Sequence, residues 1–165
     1  PGLARGRGRT LIREVLEHPR EAGSLRADVL AMRAEMATHK PPAGPLDVKL
    51  LRGGLVDCEF IVHYLQLRDR IALHPSLPVA IEALAAAGLA PPSLIESHAL
   101  MSRLLVCVRL LAPAGQEPSP AAREALAQAV KVEDYAALLR AVQRARQGVA
   151  ASWADLFGEQ LEIDA

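Results

Sequence analysis

Residues 55–70 carry apolar side chains around most of a helical circumference. A helix of that kind is stable only with other elements packed on several sides. Its polar positions Glu59, His63, Gln66 and Arg70 step by four, three and four, which makes one narrow stripe. Asp57 lies off that stripe, on the face of Ile61, Tyr64 and Arg68. A second segment of the same character runs from Ser93 to about Leu111, apolar along Leu94, Met101, Leu105 and Val108 and again along Leu100, Leu104, Cys107 and Leu111. Two such helices in 165 residues call for a bundle around them. The composition agrees: 51% of residues are hydrophobic but only 3% aromatic, so Leu, Ala and Val must build the core. The predicted class is all-α, a bundle of about six or seven helices with at most one short extended segment near 46–50.

The remaining elements follow from local signals. Residues 1–9 are Gly/Arg-rich and are expected to be a flexible N-terminal segment, with residues 10–165 forming one helical-bundle domain. A short helix is predicted from Thr10 to Glu17, closed by Pro19. A longer one runs from Ser24, as its N-cap, to His39 on the stripe Leu25, Val29, Met32 and Met36. Pro41, Pro42 and Pro45 break the chain, and Leu46, Val48 and Leu50 then alternate with Asp47 and Lys49 as a strand would. Further helices are expected from Ser76 to Ala87, from Ser93 with a Ser93/Glu96 capping box, from Ser119 to about Val130 after a loop at Pro113–Pro120, and from Val132 to Phe157. The last has the stripe Tyr135, Leu138, Leu139, Val142, Val149, Trp153 and Leu156. The chain begins at Pro1 without a methionine, which reads as an excised fragment rather than a natural start.

Charge excludes several functions. Nineteen basic residues face nineteen acidic ones, so no overall field favours nucleic acid or an anionic membrane, and no apolar run is long enough to span a bilayer. Cys58 and Cys107 fall inside apolar helical runs without a CxxC neighbour, as buried thiols of a reducing cytoplasm would. His18, His39, His63, His74 and His98 are scattered, which argues against nucleophilic catalysis and against a metal centre. The string Gly6-Arg7-Gly8-Arg9-Thr10 lacks both the preceding strand and the Gly-Lys-Ser/Thr ending of a phosphate loop.

Chemistry concentrates between residues 46 and 63. There Lys49 and Arg52 precede Gly53-Gly54, and an apolar helix with early carboxylates follows. Glycines before a helix allow close approach of backbone to a ligand, and the first-turn N–H groups attract anions. Phosphate binding is one reading; a plain corner in which the glycines only turn the chain is the other. Asp57 and Glu59, two residues apart, point about 200° from each other on a helix and cannot share a metal ion.

The stretch Leu46-Asp47-Val48-Lys49-Leu50-Leu51-Arg52-Gly53-Gly54-Leu55-Val56-Asp57-Cys58-Glu59-Phe60-Ile61-Val62-His63 resembles the signature that follows the nucleotidyltransferase domain in the glutamine synthetase adenylyltransferase family. The family pattern is approximately Phe-Asp-Leu-Lys-x-x-x-Gly-Gly-Ile-x-Asp-Ile-Glu-Phe-Ile-x-Gln. Asp47, Lys49, Gly53, Gly54, Asp57, Glu59, Phe60 and Ile61 match it, while Leu46, Leu51, Cys58 and His63 depart. Upstream, Leu25 to Met36 resembles the family's Leu-x-x-Asp-Val-x-x-Met-Arg-x-x-Met helix. Downstream, Ile81 to Leu89 and Ala151-Ser152-Trp153 resemble later helices.

The resemblance implies a helical domain of the enzyme that transfers AMP from ATP to a tyrosine of glutamine synthetase and removes it again, with the PII signalling protein as a regulatory partner. The Trp153 helix is more like that of the C-terminal, adenylylating half. In such an enzyme Mg²⁺ and ATP are held by carboxylates of the upstream nucleotidyltransferase domain, which this sequence lacks. No catalytic and no metal-binding residue is therefore expected here. Lys49, Arg52, Gly53, Gly54 and Asp57 would line the nucleotide phosphates, or Asp57 would fix a basic residue, with Glu59 and His63 in support through a bond between them or to a neighbouring helix. Two alternatives remain open: the helical domain of another nucleotidyltransferase such as PII uridylyltransferase, and a non-catalytic helical protein-interaction module.

Overall fold

The computed structural model describes residues 2–112 and 117–163. Among them the chain forms seven α-helices and no strand: α1 (Gly2–Glu17), α2 (Ala22–His39), α3 (Leu55–Asp69), α4 (Leu77–Ala86), α5 (Ser93–Leu111), α6 (Pro120–Val130) and α7 (Tyr135–Phe157). The all-α bundle is as the composition and periodicity predicted. Part of the loop expected at Pro113–Pro120 lies outside the described residues.

The two helices that are apolar on several faces are the central ones. α3 packs against α2, α4, α5 and α7, and α5 against α3, α4, α6 and α7. The core gathers Ile61, Leu65, Ile81, Leu84, Leu94, Met101, Leu104, Leu126 and Leu138, all without solvent exposure. The few aromatic residues are not scattered through it. Phe60, Tyr64, Trp153 and Phe157 meet along the α3–α7 seam, with ring centroids 6.4 Å apart for Phe60–Trp153, 4.8 Å for Tyr64–Phe157 and 4.4 Å for Trp153–Phe157. Offset and edge-on pairs at these separations add to the area that the rings bury. That seam fixes the start of α3, and so the signature, against α7.

Helix boundaries depart from expectation where capping competes. α1 starts at Gly2, ahead of Thr10. The N-cap of α2 is Glu21 rather than Ser24: its carboxylate accepts from Gly23 N at 2.8 Å and Ser24 N at 2.5 Å. Those two bonds hold the Glu21 carboxyl below its ordinary pKa. The Ser93/Glu96 capping box does not form. Pro92 caps α5 and no side chain bonds its first turn. α7 begins at Tyr135 because Asp134 caps it, accepting from Ala137 N at 2.6 Å. Ser119 does cap α6, accepting from Ala122 N at 3.2 Å.

Within α2, Met32 is 53% exposed while Arg33 is buried. The inward line is Leu25, Val29 and Arg33, with an arginine where an apolar stripe was expected.

Candidate functional site

The signature is built of turns. Asp47 N donates to Gly44 O at 3.1 Å, and Leu50 N and Leu51 N donate to Asp47 O at 3.1 and 3.0 Å. The Asp47 carboxylate also accepts from Ala43 N at 3.0 Å and Leu50 N at 3.2 Å. This is the local competition by which Asp diverts a chain from a strand ladder, and it overrides the alternating pattern of 46–50. The alternation survives only as burial, with Leu46 and Val48 inside and Lys49 exposed.

Both glycines are required by packing within the chain. Gly53 has φ +73°, and a Cβ there would lie 2.3 Å from the Arg146 carbonyl oxygen on α7. A Cβ on Gly54 would lie 2.6 Å from Val48 O and 2.7 Å from Leu51 O. The start of α3 is likewise closed by its own chain. Leu55 N donates to Val48 O at 2.9 Å, Val56 N to Lys49 O at 3.1 Å, and Gly53 N to Asp57 Oδ2 at 2.7 Å. The N–H groups expected to be open to an anion at Leu55 and Val56 are therefore already bonded.

Asp57 is the centre of the interior half of the signature. It has no solvent exposure, and Arg33, which faces it from α2, is 4% exposed. Arg33 Nε donates to Asp57 Oδ1, and Arg33 Nη2 donates to Asp57 Oδ2 at 3.2 Å and to Leu50 O at 3.4 Å. With Gly53 N on Oδ2, both carboxylate oxygens are satisfied. A buried pair survives only when its hydrogen bonds are completed in this way. Of the two roles expected for Asp57, fixing a basic residue is the one the geometry displays. Behind the loop, Arg146 Nε donates to Arg52 O at 2.9 Å, so α7 holds the backbone on which both glycines sit.

The two basic signature residues open onto different hollows. Lys49 lines a groove of ≈ 670 Å³ between the 43–50 turns, α5 and the start of α7, shared with Arg109 and Tyr135. Arg52 lines a smaller cleft of ≈ 240 Å³ with Arg33, Trp153 and residues 159–162. No ion pair to the Lys49 or Arg52 side chain forms among the described residues.

Glu59 and His63 are exposed and face a third hollow, ≈ 800 Å³, bounded by Ile12 and Leu16 of α1 and by Pro75 and Leu77. No bond joins Glu59 to His63 among the described residues. Glu59 acts at a distance on His98, whose pKa is lowered by burial and partly restored by that charge. Gln66, on the same stripe, turns inward and donates to Ala72 O at 2.6 Å and His74 O at 3.4 Å.

Cys58 is fully buried, and desolvation, with Glu59 and Asp57 adding repulsion, pushes its thiol up to about 12. Cys107 is only half-buried, which corrects the expectation that both thiols lie inside. Among the described residues no three His, Cys, Asp or Glu side chains lie together where they could hold a metal ion, and no helix is long and apolar enough to cross a membrane.

Sequence reasoning missed Arg33 and Arg146 as site residues. The signal was present: Arg33 lies four residues after Val29, and Arg146 four after Val142, each on an inward helical stripe. A cation on such a stripe needs a buried partner.

Over 89% of its length the chain is 30% identical to the bifunctional glutamine synthetase adenylyltransferase/adenylyl-removing enzyme of Rhizobium meliloti. It is 34% identical, over 90% of its length, to the enzyme of the same name in Caulobacter vibrioides. A shorter stretch of 59 residues is 42% identical to the Agrobacterium fabrum enzyme of that name. The chain spans 17% of the Rhizobium protein and 16% of the Caulobacter protein. No protein-family model and no solved structure matches it. The helical bundle is thus related, over nearly all of its length, to a segment of these bifunctional enzymes.

Proposed function

We propose that this chain is the helical domain of a bifunctional enzyme that adenylylates and deadenylylates glutamine synthetase, from its C-terminal, adenylylating half. The observation that carries the reading is the 30–34% identity to enzymes of that name across about nine tenths of the chain. In the full-length protein an upstream nucleotidyltransferase domain would supply the carboxylates that hold Mg²⁺ against ATP, and the metal would offset charge on the departing pyrophosphate. The enzyme would work in the cytoplasm, with glutamine synthetase as substrate and the PII protein as regulator.

In this reading the domain forms one wall of the nucleotide site. Lys49 and Arg52 add positive charge towards the phosphates, which lowers the energy of a transition state with accumulating negative charge. The Arg33–Asp57–Gly53 cluster and Arg146 do not touch substrate; they hold the 49–54 backbone so that the two cations project from a fixed base. Gly53 and Gly54 allow that base to lie flat against α7 and the preceding turns.

The test is made in the full-length enzyme. Lys49→Ala should lower kcat/KM for ATP by about 10- to 150-fold, the loss of a charged hydrogen bond worth ~1.5–3 kcal/mol, with unchanged melting. An unaltered kcat/KM would remove Lys49 from the nucleotide wall. The 165-residue chain alone, mixed with glutamine synthetase, ATP and Mg²⁺, should incorporate no AMP; clear turnover would place the catalytic carboxylates within it.

A further inference from the structure

We infer that residues 159–163 form an acidic strap that covers the Arg52 side of the signature loop and competes with phosphate for it. The inference rests on the proposed nucleotide-side role of Arg52 and names a control on that same site.

The strap begins where α7 stops. Gly158 takes φ +64°, and its N–H closes the helix on Ala154 O at 2.8 Å. Arg26 of α2 donates through Nη2 to the Phe157 carbonyl, which ties this helix end beside α2. The chain then runs back across the signature. Glu159, Leu161 and Glu162 share the ≈ 240 Å³ cleft with Arg33, Arg52 and Trp153. Leu161 packs against the core, and Ile163 Cδ1 reaches within 3.0 Å of the position a Gly53 Cβ would occupy. Two apolar anchors thus flank a carboxylate, and a second carboxylate precedes them.

Charge in this cleft is unevenly committed. The charge of Arg33 is compensated by its ion pair with Asp57, so the guanidinium of this cleft without a counter-ion among the described residues is that of Arg52. The strap places Glu159 and Glu162 in its cleft but brings neither within 4.0 Å of it, since no such ion pair forms among the described residues. Their effect is a negative potential at the place where a phosphate would approach, screened but effective over several ångströms.

Within 159–163 the hold is apolar. Among the described residues no hydrogen bond joins 159–163 to the rest of the chain, and its two anchors are only half-buried. Segments with few buried contacts and no backbone bonds open at low free-energy cost. A polyphosphate, carrying more negative charge than the two glutamates, can therefore displace the strap, and the strap in place weakens polyphosphate binding. Such competition is reciprocal by linkage.

Trp153 is the single tryptophan, 1% exposed, and it lines this cleft, so it reports the strap directly. The experiment compares the 165-residue chain, the chain ended after Gly158, the double variant E159Q/E162Q, and Arg52→Gln in each background. Inorganic triphosphate binding is measured by calorimetry, and acrylamide quenching of Trp153 is measured alongside. Ending the chain after Gly158 should raise the quenching constant about threefold and tighten triphosphate binding about tenfold, equivalent to ~1.4 kcal/mol. E159Q/E162Q, which keeps Leu161 and Ile163, should tighten binding about threefold while leaving quenching unchanged. Arg52→Gln should erase both gains in affinity.

Unchanged quenching after removal of 159–165 would overturn the strap as a cover. Raised quenching with unaltered affinity, or a gain that persists in Arg52→Gln, would overturn its competition with phosphate at Arg52. Raised quenching with no triphosphate binding by any form would instead overturn the nucleotide-side role of Arg52 itself.

Discussion

The two halves of the signature, adjacent in sequence, have opposite physical characters. The interior half, Gly53, Gly54 and Asp57, is closed: glycine Cα atoms press against carbonyls, and Asp57 has a partner for each oxygen. The outer half, Lys49, Arg52, Glu59 and His63, opens onto hollows, and Lys49, Arg52 and Glu59 form no ion pair among the described residues. A residue pattern that looks like one binding motif therefore holds two kinds of constraint. One kind builds a rigid base, and the other leaves charge available. The comparison also warns against using Asp57→Asn as a substrate-contact probe, because that side chain answers first to Arg33 and Gly53.

The interior half is most sensitive at Asp57. Asp57→Ala leaves Arg33 buried without its counter-ion, and removing one partner of a buried pair costs about 3–5 kcal/mol. Urea unfolding of the chain should show that loss, and a change below ~1 kcal/mol would mean that Arg33 escapes to solvent. Replacing both residues, as Arg33→Met with Asp57→Leu, should recover much of it. Gly53 N–H and Leu50 O would still be left without these partners, a penalty of roughly 1–3 kcal/mol. Gly53→Ala comes next. Positive φ at a non-glycine residue costs about 1–3 kcal/mol, and the Cβ must in addition displace the α7 backbone at Arg146. A loss of about 2–4 kcal/mol is expected, whereas retained stability would show that the loop can lift from α7.

A further effect, confined to the buried start of α3, appears only at alkaline pH. The Cys58 thiol is held neutral up to about 12 in the folded chain, against an ordinary value of 9.0. The unfolded chain loses this proton first, so the contribution is full below pH 9 and declines as pH rises towards 12, by about 1.4 kcal/mol per pH unit within that window. Cys58→Ala should flatten that part of the stability profile. Labelling should separate the cysteines as well: the half-buried Cys107 should react in native buffer while Cys58 waits for denaturant. Fast native reaction of Cys58 would show that the start of α3 opens.

How much of this was legible in the sequence depended on which interaction decided each element. Hydrophobic periodicity located α3 and α5 and their central place, because burial on several faces leaves an unmistakable pattern. It failed at 46–50, where a side-chain carboxylate, Asp47, redirects the backbone and the alternation is only of burial. Capping shifted two boundaries because a nearby carboxylate took the first-turn N–H groups: Glu21, three residues ahead of the expected cap Ser24, starts α2, and Asp134, two residues beyond the expected start at Val132, starts α7. The resemblance marked Lys49, Gly53, Gly54 and Asp57 as a group, but their division into base and edge depends on Arg33 and Arg146. Those partners lie 24 residues from Asp57 and 94 from Arg52 in the chain, beyond any local spacing rule. The strap was hidden for the same reason: nothing in Glu159 to Ile163 says which face it crosses.

The smallest expected stability effects belong to the outer half, and they test the contrast most cleanly. Lys49 is exposed and makes no side-chain bond among the described residues, and Arg52 keeps its backbone contact with Arg146 whatever its side chain is. Lys49→Ala and Arg52→Gln should each change unfolding free energy by no more than about 0.5 kcal/mol, as surface substitutions away from caps and buried pairs do. The same variants carry the largest expected functional losses in the full-length enzyme, while Asp57→Ala should lose activity in step with folded fraction. A plot of activity loss against stability loss should therefore put the outer residues on one axis and the interior residues near the diagonal. If Lys49→Ala destabilised the chain by 2 kcal/mol or more, its charge would be part of the base, and the division of the signature into closed and open halves would fail at its most exposed member.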